Sequence, residues 1–218
     1  MMARMSSAKS NAPAEASENT REAILSAALR VLAEEGHQAL TVRRIATEAG
    51  CSTIGVYTWF GGKDGLVDAI FVEGFTSFAA ALRSARTRRG PMGKARAQAY
   101  AYRTWALSHP MHYQVMFHRV VDSHKASDQA IIAGTDSYAA LQEAIAEAAG
   151  RGELHATDLE AVAMMVWATV HGLVSLQLIA GQRPNDIDSS KTIDDRAYEL
   201  AVDTLVRGLC KEVNDRRR

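Results

Sequence analysis

The chain has 218 residues, 47% of them apolar, and a formal net charge of zero at pH 7. That supplies core material for one large or two small domains. It counts against a nucleic-acid binder that coats its target by charge alone, and not against one that uses a few placed contacts and two copies of itself. Cys51 and Cys210 stand far apart and form neither a disulfide framework nor a metal pattern, which fits a reducing, cytoplasmic setting.

Residues 1–19 are rich in Ser, Ala, Asn and Glu, lack the apolar run of a signal peptide, and read as a disordered arm. Beyond them, alternating β-branched runs are missing while Ala, Leu, Glu, Arg and Met abound, so the fold class is all-α. The first helix is expected to open at Thr20 and end at Gly36, with Ile24, Ala28, Val31 and Leu32 on its apolar face. Thr41 caps a short second helix that stops at Gly50, with Leu40 and Ile45 as a hydrophobic staple. Ser52 caps a third that runs to Phe60 and breaks at Gly61 and Gly62. Longer helices are expected at about 64–86, 94–108, 111–121, 126–149, 158–180 and 192–213.

The segment from Thr41 to Phe60 carries the main signal. A small Ala46 lets the next helix cross closely, Gly50 supplies the left-handed turn, and Val56 faces back inward. Ile45, Ala49, Val56 and Phe60 would close a small core, the geometry of a helix-turn-helix whose second helix enters a major groove.

Residues 20–66 resemble the DNA-binding head of the tetracycline-repressor (TetR) family. The resemblance rests on Thr20 to Ile24, Glu35-Gly36, Leu40 to Arg43, Ile45-Ala46, Glu48 to Gly50, Ser52, Val56-Tyr57, Phe60 and Lys63 to Leu66. It implies that Thr41, Tyr57 and Lys63 touch phosphates and that residues 52–59 read bases: Ser52, Thr53, Ile54, Gly55, Tyr57, Thr58 and Trp59. Thr41 and Ser52 lie at helix N-termini, where backbone amides and the dipole attract phosphate. Arg43 and Arg44 occupy a helix's first turn, where the dipole disfavours cations and a phosphate would relieve the conflict. The family often carries glycine then threonine or serine where Ile54 and Gly55 stand here, and histidine in place of Trp59. No Arg or Asn on the third helix offers bidentate base readout, so the residues name no operator.

The resemblance makes residues 67–218 a helical ligand-binding and dimerisation domain. The run from Val166 to Leu176, with Trp, His and Gly on one helix, resembles a C-terminal domain of one subset of the family, as do His109 to Met111 and Tyr113 to Phe117. The helices at 158–180 and 192–213 hold more apolar surface than one shell needs, so a homodimer through them is expected. The stretch from Ala161 to Gly181 has the length of a membrane span, but His171 and Gln177 inside it favour a buried helix and no membrane partner. Trp105, Tyr113, Met116, Phe117, Met164, Met165, Trp167 and His171 form a candidate pocket for a small, largely hydrophobic effector, with plain core as the other reading. His109, His112, His118 and His124 match no zinc pattern, and neither a metal nor a cofactor is expected. The function so read is a ligand-responsive regulator, a repressor that binds a palindromic double-stranded operator as a dimer and is released by that effector. The alternatives are a DNA-binding protein without effector and a helical enzyme, and no nucleophile–base pair or paired acid supports the latter.

Overall fold

The computed structural model describes residues 12–117, 126–182 and 193–211. Among them lie nine α-helices and no strand, only an isolated bridge between Leu154 and Cys210. The all-α expectation therefore holds. The described residues cluster into two compact units, one over residues 12–70 and one over residues 71–117, 126–182 and 193–211.

In the first unit, α1 spans Ala12–Glu35 and so begins before Thr20, inside the stretch expected to be disordered. The reason is local. Ala and Glu are good helix formers, and a proline in the first turn gives up an N–H that has no helical acceptor there. Gly36, at φ 78, ends α1, and a 3-10 turn over His37–Ala39 leads on. Helix α2 (Val42–Ala49) is capped by the Thr41 hydroxyl, which accepts from the Arg44 N–H at 3.2 Å. Gly50 closes it at φ 66, the left-handed turn expected of it. Helix α3 (Thr53–Phe60) is capped in the same way by Ser52 on the Gly55 N–H and ends at Gly61, φ 70. Ile24, Ala28 and Val31 of α1, Leu40 with Ile45 and Ala46 of α2, and Val56 and Phe60 of α3 are buried together with Leu66 and Val67. Ala49 is only half-buried.

Helix α4 spans Lys63–Ser84. The second unit further contains α5 (Gly93–Ser108), α6 (Pro110–Phe117), α7 (Asp128–Gly150), α8 (Leu159–Gln182) and α9 (Asp195–Leu209). Helix α5 packs on α6, α7, α8 and α9, and α8 also packs on α7 and α9. Its core has two parts. One gathers Phe78, Tyr102, Trp105, Tyr113 and Tyr198; the other joins Met92, Ile145, Val162 and Val206. Met92 takes φ 50 just before α5, and its N–H donates to Glu153 Oε2 at 2.7 Å, a charge-assisted bond that offsets the cost of a left-handed non-glycine. Helices α4 and α8 each contain a stretch long and apolar enough to cross a membrane. Length and composition alone do not separate a span from a core helix that packs on three others.

Candidate functional site: the helix-turn-helix surface and an apolar cavity

Helix α3 separates its residues by face. Val56 and Phe60 are buried, while Ser52, Thr53, Ile54, Tyr57, Thr58 and Trp59 are exposed and Gly55 is half-exposed. Ile54 is 73% exposed, which no folding argument favours for so large an apolar side chain. The Thr58 hydroxyl donates to the Ile54 carbonyl at 2.8 Å, so its oxygen is left to accept. The capping bonds of Thr41 and Ser52 use hydroxyl lone pairs and leave their protons for an outside acceptor. Lys63 is half-buried at the start of α4, and Arg43 is exposed.

Arg44 is placed differently from the expectation. Its guanidinium meets Glu35 at 2.6 Å and Glu48 at 2.9 Å, and Arg30 reaches the same Glu48 at 3.0 Å. The conflict with the α2 dipole is thus answered by two carboxylates within the chain, and Arg44 ties α2 to the end of α1. Hydrogen bonds from Arg30 and then Arg44 hold the Glu48 carboxyl below its usual range. A carboxyl depressed in the folded state stabilises at neutral pH, and that contribution is lost as pH falls through the usual carboxylate range to the lowered folded value. Thermal melts of the chain should therefore drop on acidification, and Glu48→Gln should flatten the profile. An unchanged profile would remove this network from the head's stability.

The second unit holds a cavity of about 310 Å³, walled by α4, α5, α6, α7 and α8. Phe75, Phe78 and Leu82 come from α4, and Gln98 and Tyr102 from α5. Of the pocket residues expected from sequence, Phe117, Met164 and Trp167 line it. Trp105, Tyr113 and Met116 are buried in the neighbouring core, and Met165 is exposed. His171 stands behind the wall: its Nδ1 lies 2.9 Å from the hydroxyls of both Tyr102 and Tyr113, and Tyr113 continues to Ser175 Oγ at 2.9 Å. Burial pushes both phenols above their usual range, so they remain protonated donors in this network. Sequence reading missed the walls from α4, α5 and α7. The signal available was Phe71, Phe75 and Phe78 at spacings of four and three on one helix. Among the described residues no group of His, Cys, Asp and Glu is placed to hold a metal. His109 and His112 instead contact the Trp105 ring, and His118 and His124 lie outside the described residues.

Two capped short helices around a left-handed glycine, with an exposed second helix, define a helix-turn-helix DNA-binding protein. Residues 24–70 match the family model described as bacterial regulatory proteins, tetR family. Residues 95–205 match that described as the tetracyclin repressor-like C-terminal domain. The chain belongs to the TetR family of transcriptional regulators. It is 25% identical over 183 residues to Rv0681, an HTH-type transcriptional regulator of Mycobacterium tuberculosis, covering 84% of this chain and 80% of that one. Among solved structures, a Rhodococcus sp. RHA1 protein of unknown function superposes with a TM-score of 0.72 at 28% identity, covering 88% of this chain and 96% of the other. A tetR-family regulatory protein, also from Rhodococcus RHA1, gives 0.69 at 23% identity, with coverages of 88% and 98%.

Proposed function

We propose that the chain is a dimeric, ligand-responsive repressor that binds a palindromic operator and is released by a small, largely apolar effector in the cavity of the second unit. The observation that carries the DNA part is the exposed α3 surface, whose apolar and hydroxyl side chains face solvent while Val56 and Phe60 anchor it from behind. Thr41, Ser52, Tyr57, Lys63 and the exposed Arg43 are the phosphate-side groups. Thr53, Ile54, Gly55, Thr58 and Trp59 lie against the bases. Ile54 suits the methyl group of thymine, and Thr58 offers an acceptor for an adenine or cytosine amino group. Arg44, bound to two carboxylates, positions α2 rather than DNA.

The effector part is supported by an apolar cavity within the size range of small-molecule sites. Helix α4 carries both Lys63 at its start and Phe75, Phe78 and Leu82 further along. An effector that prefers one arrangement of that helix shifts the population toward it, and operator affinity follows. The dimer part is supported by an apolar strip on α8. Expected residence is the cytoplasm, where the operator lies.

The test starts with selection of bound DNA from random sequence, followed by titration in salt. Tyr57→Ala and Lys63→Ala should each weaken binding about tenfold without altering the selected sequence. Lys63→Ala should also reduce the slope of log affinity against log salt by about 0.9 per neutralised phosphate. Full binding by both variants would refute these contacts.

A further inference from the structure

No Asp, Glu, Lys, Arg or His lines the cavity, and three of its polar side chains are left as acceptors. Gln98 lines it and is 3% exposed, with Nε2 donating to the Ala140 carbonyl at 2.8 Å. That bond fixes the amide, because turning it over would set oxygen against oxygen. The remaining Oε1 is buried with no hydrogen-bond partner. Two further lining hydroxyls have spent their protons. Ser137 donates to the Gly134 carbonyl at 2.7 Å, and Tyr138 to the Glu160 carboxylate at 3.2 Å. Gln98, Ser137 and Tyr138 therefore keep acceptor lone pairs along an otherwise largely apolar wall. Phe75, Phe78, Tyr102, Phe117, Tyr138 and Trp167 supply aromatic walls.

We infer that this cavity takes an uncharged, largely aromatic ligand whose hydroxyl or N–H donates to Gln98 Oε1. The inference rests on the effector reading above for its regulatory meaning. Buried polar atoms seek a partner, and Oε1 lacks one until such a donor arrives. Carboxylates and phosphates are disfavoured because no Lys, Arg or His lines the cavity to replace the water they would lose. Flat aromatic rings suit walls that favour offset-stacked and edge-to-face contacts.

The experiment is titration calorimetry of the full chain with 1-naphthol, 1-methoxynaphthalene, naphthalene and 1-naphthoate, which share a ring system and differ in donor and charge. Naphthol should bind about tenfold tighter than its methyl ether, a difference expected of one hydrogen bond to a buried acceptor. Naphthoate should bind weakest. Gln98→Met should erase the preference for naphthol while keeping affinity for the ether. The native-chain series stands by itself if that variant fails to fold. Equal affinity for naphthol and ether, tightest binding by naphthoate, or no binding by any of the four overturns the inference. Operator release is scored separately with the same compounds. Naphthol that binds with the stated preference yet leaves the operator complex intact would sink the effector reading and leave the ligand class standing.

Discussion

Gly65→Ala should unseat the DNA-binding head. Gly65 lies in the first turn of α4, and a Cβ there would stand 1.8 Å from the carbonyl oxygen of Phe60 and 3.0 Å from its carbon. The obstacle is backbone, so no side chain can swing aside to make room. The end of α3 must move, together with Gly61 and Gly62, which take φ 70 and φ 128. Overpacking of this kind costs about 3 kcal/mol, a large part of the stability of an ordinary domain. Because the displaced segment is the helix proposed to read bases, operator binding should fail even at temperatures where the chain remains folded. Gly55→Ala, on α3 itself, is the control. Its Cβ would meet Cys51 Sγ and Ser52 Oγ at 3.8 Å, which is ordinary contact. Replacing a helical glycine should then raise stability by about 0.5–1 kcal/mol. Thermal melts of the two variants should move in opposite directions. If both melt like the parent chain, the close approach of α4 to α3 is not what holds the head.

That contrast shows where sequence reading stops. Both glycines are visible in the sequence, and Gly65 belongs to the run by which the head resembles its family. Only the structure separates one that a methyl group would suit from one that it would break. What was legible is local. Thr41, Ser52 and Gly50 act within a few residues of themselves, so their roles follow from spacing. What was not legible depends on distant partners. Arg44 reads as a phosphate contact until Glu35, nine residues earlier on another helix, claims it. The cavity shows the same limit. Aromatic residues at helical spacing read equally as core or lining, and tertiary packing alone puts Phe75 and Phe78 at the wall and Trp105 and Tyr113 behind it. The start of α1 was missed for a different reason. Composition rich in Ser, Asn and Glu resembles a disordered arm, yet the Ala and Glu within it carry helix propensity once a long helix follows.

Leu176→Glu combined with Leu200→Glu should yield a folded monomer that has lost most of its operator affinity. On α8, Ala161, Met165, Ala168, Leu176 and Ile179 are exposed and Gly172 is half-exposed, and they recur at intervals of three and four. On α9, Ala197, Leu200, Thr204 and Gly208 repeat the pattern with small residues. Leu176 is 60% exposed and Leu200 61%. A Cβ added at Gly172 or Gly208 would meet nothing within 4 Å among the described residues, so no contact among them accounts for these glycines. The proposed second copy would: small residues along two adjacent helices would let the partner's helices approach closely, and the exposed leucines and methionines would then leave water. Two glutamates per chain, doubled by the twofold axis, would bring four charges into that seam without partners, and burying unpaired charge outweighs the apolar gain. Both leucines are largely exposed in the single chain, so circular dichroism should be unchanged while sedimentation velocity reports half the mass. A dimer engages two half-sites through one association, so its loss should weaken operator binding about 10²–10⁴-fold. A lipid-bound helix predicts otherwise. There the same charges would release the chain from membranes and leave its mass in solution unaltered. A double variant that stays dimeric, or that binds operator like the parent chain, would place the twofold contact elsewhere and leave the α8 strip to another partner.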